Sequence, residues 1–536
     1  MKVIFISGGV ISGIGKGISA GSIGLLLKKH SLKVSFLKCD PYINLDAGTM
    51  NPIVHGEVFV TDDGYEIDMD GGHYERFIGI TLSKDNSITT GQVYSQVIKN
   101  ERNLKYDGEC VEVIPHIRDE IVRRIEDSYG NNDILIIEIG GTVGEYQNDI
   151  YYEAERFLKQ KLLDDLIHIH VGYLPIPKSL GEMKTKPTQQ SVMLLNQRGI
   201  FPDIIIGRSE FSIDLVRKKK ISIATNVSDN NIFSNPDVDT IYKVPKLFYD
   251  QKFDKRILDL LKIKPSDIDF SDWEELIKNI DTKPKKNIVI GMVSKYHNSG
   301  KFSLEDSYVS VVEAIKSACW NKHIGFKIKW IDSESFTEND LSECNGIIVP
   351  GGFGKRGIEG KIKAIKYARE NKVPYLGLCL GMQLAAIEFA QDVCKIKDAN
   401  SEEIDELSKN KIIHIMPDQE KKLLDKNYGG SMRLGAWDCV IDKNTLAYRL
   451  YRKNKISERH RHRYEFNNEY RKLFESHGMI FSGKSTDGNL VEIMELKDHP
   501  FFIGVQFHPE FKSSPILPHP LFLEFISVII SSNGSI

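Results

Sequence analysis

None of the seven cysteines, Cys39, Cys110, Cys319, Cys344, Cys379, Cys394 and Cys439, stands in a Cys-x-x-Cys spacing. That removes the sequence signals of a disulfide framework and of a zinc cluster, and a reducing cytosol fits best. An excess of one charge is also lacking. Lys and Arg number 71 against 74 Asp and Glu, a formal charge of -3, so no nucleic-acid-coating surface is expected. The first apolar run, Val3–Ile6, goes straight into Gly8-Gly9, without the longer apolar segment and cleavage site of a signal peptide, and reads as a first strand. No internal repeat or interpretable low-complexity tract is present. With 41% hydrophobic and 27% charged residues, the composition is that of a soluble globular chain, and a cytoplasmic protein without a membrane is expected.

The 536 residues exceed the roughly 250–300 at which single cores stop growing, so two domains are expected. Short β-branched runs, Val3–Ile6, Ile134–Ile137 and Ile204–Ile206, alternate with longer helical patterns, which predicts α/β architecture with largely parallel sheets. A second series begins at Asn287 and runs through Gly346–Pro350, Pro374–Leu378 and Phe502–Phe507. The polar, proline-marked stretch between them divides the chain into a domain 1–266, a linker 267–286 and a domain 287–536, both domains doubly wound.

After the first strand, Gly8-Gly9-Val10-Ile11-Ser12-Gly13-Ile14-Gly15-Lys16-Gly17-Ile18 leads into a helical pattern. A strand, a glycine-rich loop and a helix start aim N–H groups and a positive dipole end at phosphates, and Lys16 would reach the terminal ones. Five residues, where a P-loop has four, separate Gly9 from Gly15, and Gly17 replaces the hydroxyl that holds magnesium. Asp70 and Glu138, the latter leaving a buried strand into a glycine-rich turn, are the candidate replacements. Lys184, Thr185, Lys186, Pro187, Thr188 and Gln189 offer two lysines and two hydroxyls for a second triphosphate, or else form a charged loop.

In the second half, Pro374–Leu378 runs into Gly377-Leu378-Cys379-Leu380-Gly381 and then a helix, the spacing of a nucleophile elbow. A thiol at a helix N-terminus favours thiolate. His508 and Glu510, just after another strand, provide a base and its orienting acid. The loop Pro350–Gly354 and the Leu380 N–H can face a developing oxyanion.

Cys379 in Gly-x-Cys-x-Gly-Met-Gln, Pro350-Gly351-Gly352-Phe353-Gly354 and His508-Pro509-Glu510 together resemble a class I glutamine amidotransferase domain, with its flavodoxin-like fold. Lys38–Asn44, His55–Val60, Gly72–Phe77 and Lys184–Gln189 resemble the P-loop-like amidoligase domain of the CTP synthase family. The resemblance covers nearly the whole chain. It implies glutamine hydrolysis through a γ-glutamyl thioester, ATP-dependent phosphorylation of the UTP O4, and displacement of that phosphate by ammonia.

By matching positions, the resemblance implies that Ser12 contacts UTP, that Gly13, Ile14, Gly15, Lys16, Gly17 and Ile18 hold the ATP phosphates, and that Asp70 and Glu138 hold Mg2+. It likewise implies that Lys184–Gln189 and Lys220 complete the pyrimidine site, with Glu145, Tyr146 and Gln147 near the CTP base and Val238 near adenine. Gly352, Leu380, Gly381, Met382, Gln383, Glu403 and Arg463 would bind glutamine. The segment Gly430–Gly435 resembles a lid associated with GTP activation, and CTP inhibition and a homotetramer are further implications. Glu145-Tyr146-Gln147 and Pro236 depart from the family pattern. Two alternatives stay open at this level: another ATP-dependent amidoligase with a fused glutaminase, and a catalytically silent nucleotide-sensing scaffold.

Overall fold

The computed structural model describes residues 1–284, 286–295, 298–299, 302–303, 305–416 and 432–532. The chain divides into two compact units, Met1–Asp46 with Asp70–Ile277, and Ala47–Met69 with Lys278–Ile536. Gly430, Ser431 and Lys285, named above in the lid and linker stretches, lie outside the described residues.

The first unit is built on seven strands: β1 (Lys2–Gly8), β2 (Val34–Asp40), β3 (Ser87–Thr89), β4 (Ile134–Ile139), β5 (Leu166–Tyr173), β6 (Ile204–Ser209) and β7 (Ile232–Pro236). They pair in the order β3-β2-β4-β1-β5-β6-β7, every pair parallel. The strands are near-continuous apolar runs because both faces are covered: Val3, Ile4, Ile134–Ile137 and Ile204–Ile206 are buried throughout. The helices that carry the site are α1 (Lys16–Lys29), α2 (Asp70–Ile78), α3 (Asp149–Leu162), α4 (Lys186–Asn196) and α5 (Leu215–Thr225). Within the polar stretch 267–286 lies α6 (Ser271–Asp281). Its Trp273 is fully buried beside Phe77 and Tyr242, and its indole N–H donates to the Tyr242 carbonyl at 2.8 Å.

The second unit has nine main strands: β8 (Asn287–Ser294), β9 (Gly325–Asp332), β10 (Gly346–Val349), β11 (Tyr375–Leu378), β12 (Arg433–Ile441), β13 (Lys455–His462), β14 (Met479–Ser485), β15 (Val491–Leu496) and β16 (Phe502–Val505). Their order is β9-β8-β10-β11-β16-β15-β14-β12-β13. The first five pair in parallel, and helices α7 (Val309–Asn321), α8 (Ile358–Glu370), α9 (Leu380–Asp392) and α10 (Pro520–Ser532) belong to this unit. The remaining strands add an antiparallel wing that apolar runs did not reveal, since β12 and β13 alternate buried with exposed positions.

Residues 47–69 belong to this second unit although they lie far upstream in sequence. Asp62 and Glu66 pair with Arg459 at 2.5 Å and Arg461 at 2.7 Å, and Phe59 packs edge-on against Phe511. Glu57 accepts the Ser310 N–H at 3.2 Å, and the Ser307 hydroxyl donates to the Pro52 carbonyl at 2.9 Å. No described helix is long and apolar enough to cross a membrane.

Candidate active sites

In the first unit the register of three parallel strands builds the site. Ile6 on β1 stands opposite Glu138 on β4, and Glu138 opposite Lys38 on β2, so an acid and a lysine meet where the strands end. The glycine loop follows β1, with φ of 69° at Gly13 and 91° at Gly15, left-handed values that glycine adopts without strain. Gly15 is the N-cap of α1, whose first N–H groups are left for a ligand. Lys16 is buried, and its ammonium donates to the Gly141 carbonyl at 2.7 Å. Burial pushes its pKa down, against the pull of Glu138.

Gly17 explains the missing hydroxyl. A Cβ there would lie 2.3 Å from Asp70 Oδ1, so this carboxylate occupies the space a P-loop Ser or Thr would fill, with Glu138 Oε2 in ordinary contact at 3.5 Å. Lys38 bridges Asp70 and Asp40, both at 2.9 Å, and the Tyr74 hydroxyl donates to Glu138 at 2.5 Å. Burial raises Glu138, helped by the Asp70 charge, while at Asp70 the attraction of Lys38 and His73 overcomes burial and holds the carboxyl low. Such an oxygen pair, one of them firmly ionised, suits a hard divalent cation that completes its shell with phosphate oxygens and water.

Of the other residues singled out, Ser12 is exposed on the loop, Ile14 is buried and Ile18 is half-buried on α1. Glu145 is held within its own turn. Its carboxylate accepts from the Thr142 N–H at 2.8 Å and the Gln147 amide at 2.9 Å, which leaves the Tyr146 ring fully outward. Lys184 pairs with Glu182 at 2.9 Å, Lys186 is exposed, and Pro187 sits in the first turn of α4. Thr185 accepts from the Gln189 amide at 3.0 Å, and the buried Thr188 hydroxyl donates to the Tyr173 carbonyl at 2.7 Å. Lys220 is exposed on α5, which packs against α4. Val238 follows β7 in a turn held by Arg208, whose guanidinium donates to the carbonyls of Asn235 and Pro236 and to Asp237. Sequence reasoning gave no role to Lys38, Tyr74 or Arg208. Strand register places Lys38 and Arg208 at the carboxyl ends of their strands, and Tyr74 reaches Glu138 from α2.

In the second unit three neighbouring parallel strands deliver three groups to one edge. Val349 on β10 pairs with Gly377 on β11, and Leu378 on β11 with Val505 on β16, so loop, thiol and imidazole emerge side by side. Cys379 has φ 51° and ψ -101°, a strained conformation for a non-glycine residue, pinned by its N–H on the Val505 carbonyl at 2.7 Å. It is the N-cap of α9, and the Leu380 N–H behind it has no intrahelical acceptor.

A Cβ on Gly351 would lie 2.8 Å from the His508 ring and 3.7 Å from Cys379 Cβ, which sets how closely the imidazole and thiol converge. His508 Nδ1 bonds the Glu510 carboxylate at 2.7 Å. Burial disfavours the imidazolium, yet the Glu510 charge and then the Cys379 sulfur outweigh it and hold His508 up, to about 10. The Gln506 amide donates to Cys379 Sγ at 3.6 Å, and the thiol reaches the Arg461 carbonyl at 3.7 Å. A cavity of about 70 Å³ opens here, lined by Cys379, His508, Gly352 and Phe353 and by Glu57 and Val58 of the upstream excursion.

The residues expected around glutamine divide in two. Glu403 accepts the Gly354 N–H at 2.8 Å and lies within electrostatic reach of Arg463, Tyr464 and Lys295, so it stands beside the Gly351–Gly354 loop. The Gln383 amide instead donates to the Tyr464 carbonyl at 3.0 Å and to Gln506 at 3.1 Å. Leu380 and Met382 are buried in the hydrophobic core, and Gly381 backs onto the Val349 carbonyl, so these offer a ligand only their main chain. Gln506 and the buried Lys295 were missed, because neither residue type is unusual at the end of a strand.

Residues 2–263 match the family model described as CTP synthase N-terminus, and residues 303–528 that described as Glutamine amidotransferase class-I. Fold and matches define a class I glutamine amidotransferase joined to a synthetase domain. CTP synthase of Clostridium acetobutylicum is 49% identical over 98% of this chain and 98% of its own, and that of Bacillus subtilis 46% identical over 99% of each. The solved glutaminase domain of Trypanosoma brucei CTPS with bound acivicin is 35% identical, covering 46% of this chain and 94% of its own with a TM-score of 0.42. The chain belongs to the CTP synthase family and is a glutamine-hydrolysing ligase of pyrimidine biosynthesis.

Proposed function

We propose that the second unit frees ammonia from glutamine through a γ-glutamyl thioester on Cys379, and that the first unit uses it to aminate UTP that ATP has phosphorylated at O4. The observation that carries this reading is the convergence of Cys379 and His508 on Gly351, with Glu510 bonded to the far side of the imidazole at 2.7 Å. His508 takes the thiol proton and returns one to the departing ammonia, while Glu510 keeps the ring oriented. The Leu380 N–H and the Gly351–Gly354 loop face the oxyanion, and Glu403 and Arg463 hold the amino-acid end of glutamine. Ammonia leaves into the cavity lined by Glu57 and Val58.

In the first unit the glycine loop and Lys16 take the ATP phosphates. Ser12, Lys184–Gln189 and Lys220 take the pyrimidine nucleotide, Tyr146 offers its ring to the base, and Val238 borders the adenine. Asp70 and Glu138 would hold magnesium, which when bound offsets phosphate charge. Lys38 keeps the carboxylate pair from repelling itself, and Arg208 fixes the turn before Val238. Family membership supports GTP activation, CTP inhibition and a cytoplasmic homotetramer as parts of this reading. The outward Phe211, Leu215 and Ile223 of the first unit suit burial between copies.

The test is CTP formation by the purified protein with Mg2+, ATP and UTP, given glutamine in one arm and ammonium in the other. Both arms are expected to yield CTP, and UTP left intact in both overturns the proposal. A substitution that restores the ordinary P-loop hydroxyl gives a sharper check. Gly17→Ser would press a Cβ against Asp70 Oδ1, so both arms are expected to slow by about tenfold or more, as overpacking a rigid site costs about 1–3 kcal/mol. An unchanged or faster rate would show that Asp70 does not need that space.

A further inference from the structure

A row of polar side chains runs through the core of the first unit, where apolar packing would be expected. The two-residue period of β5 puts His168 and His170 on one face, and the register sets Ser7 of β1 directly opposite His170. Glu155 on α3 bonds His168 Nδ1 at 2.6 Å, and His168 Nε2 lies 2.7 Å from Ser7 Oγ. Ser7 Oγ lies 2.9 Å from His170 Nδ1, and His170 Nε2 lies 2.8 Å from Ser191 Oγ on α4. Ser191 Oγ in turn donates to the Thr188 carbonyl at 3.0 Å. All six residues are at most 2% exposed, so bulk water does not reach them.

The proton count selects one direction for this chain. Burial, then the neighbouring His168 and Lys16, push His170 down to about 3, so it is neutral and has one N–H. Ser7 and Ser191 each have one hydroxyl proton. If His168 donated only to Glu155, Ser7 would donate back to His168, His170 would donate to Ser7, and Ser191 would be drawn to His170, leaving the Thr188 contact without a donor. That arrangement also buries a bare carboxylate on a single hydrogen bond, because Glu155 Oε2 has no partner among the described residues. One added proton, shared between Glu155 and His168, reverses every link. His168 Nε2–H then donates to Ser7, Ser7 to His170 Nδ1, His170 Nε2–H to Ser191, and Ser191 to Thr188, and all five contacts are satisfied.

We propose that Glu155 and His168 are positioning residues for the nucleotide half of the reaction, their shared proton orienting a one-way donor chain that fixes the first turns of α4. The inference rests on the reading above that Lys184–Gln189 holds the pyrimidine nucleotide. Neither Glu155 nor His168 touches that segment. They act through Ser7, His170 and Ser191.

Ammonium-driven CTP formation leaves the glutaminase out of the test. His168→Phe removes the donor to Ser7 while keeping an apolar ring. It is expected to raise the KM for UTP by about fivefold, with kcat and the KM for ATP within about twofold, the pattern of lost binding at one substrate. His168→Gln, whose amide can supply that donor, is expected to stay within about twofold of the unaltered protein in all three. Two variants that behave alike, whether both normal or both weakened along with their melting temperatures, overturn the proposal. Nitrogen-15 NMR of the unaltered protein is expected to find His170 as the Nε2–H tautomer, and the Nδ1–H tautomer overturns the donor chain whatever the activity. If the unaltered protein forms no CTP, the function proposed above fails, while the tautomer still decides the chain.

Discussion

Cys379→Ala is expected to erase CTP formation from glutamine, by roughly 10⁴- to 10⁶-fold, while formation from ammonium stays within about twofold. The size of the loss follows from what converges on that sulfur. The backbone is held at φ 51° by a hydrogen bond to the Val505 carbonyl, the imidazole is raised to about 10 by Glu510 and the thiol itself, and Gln506 donates to the sulfur. All of these act on one nucleophile, so removing it leaves the remaining parts with nothing to activate. The ammonium arm survives because the phosphate loop, Lys38 and the carboxylate pair belong to the other unit. Equal losses in the two arms would contradict this division. His508→Ala is the natural companion, since its glutamine arm should fall as far if base and nucleophile act as one device.

Lys16→Ala is expected to lower both arms together, by about 10² to 10³, or ~3–4 kcal/mol, the scale of one lost electrostatic contact to a developing charge. Lys16 is buried at the start of α1, donates to the Gly141 carbonyl at 2.7 Å and lies within the field of Glu138 and Asp70. Its side chain is therefore held in place beside the glycine loop before any phosphate arrives and needs no rearrangement to meet one. Steady-state rates with glutamine and with ammonium, each at saturating UTP, are the measurement. A drop confined to the glutamine arm would place Lys16 outside phosphoryl transfer. Together the two substitutions cross-check each other, one silencing a single nitrogen source and the other both.

Much of this was legible in the sequence, because the signals were local. Buried parallel strands read as unbroken β-branched runs, as Ile134–Ile137 and Ile204–Ile206 do, and each glycine loop begins where such a run stops. Cys379 was visible because a strand, two glycines and a helix are contiguous, and His508 and Glu510 because they are two residues apart. Lys38 was not, since its meeting with Glu138 depends on a register between strands a hundred residues apart in the chain. The role of Gly17 was equally hidden. Asp70 was already a candidate replacement for the missing hydroxyl, but that its carboxylate fills the space beside Gly17 is visible only in the fold. Gln383 and Met382 show the opposite case, in which the elbow spacing correctly marks a helix start but not where the side chains after it point. Nothing local marks the antiparallel wing or the donor row from Glu155 to Ser191, which exist only once the strands are paired.

The excursion of residues 47–69 bears on how a gene for such a protein can be cut. A fragment beginning at residue 278 would retain the nucleophile, the base and its acid, yet it would leave Phe511 facing solvent where Phe59 had covered it, and would deprive Arg459 and Arg461 of Asp62 and Glu66. The hydrolase thus borrows one wall of its chamber from the opposite end of the reading frame. Splitting the two activities onto separate polypeptides would require residues 47–69 to be transplanted as well as the boundary to be chosen.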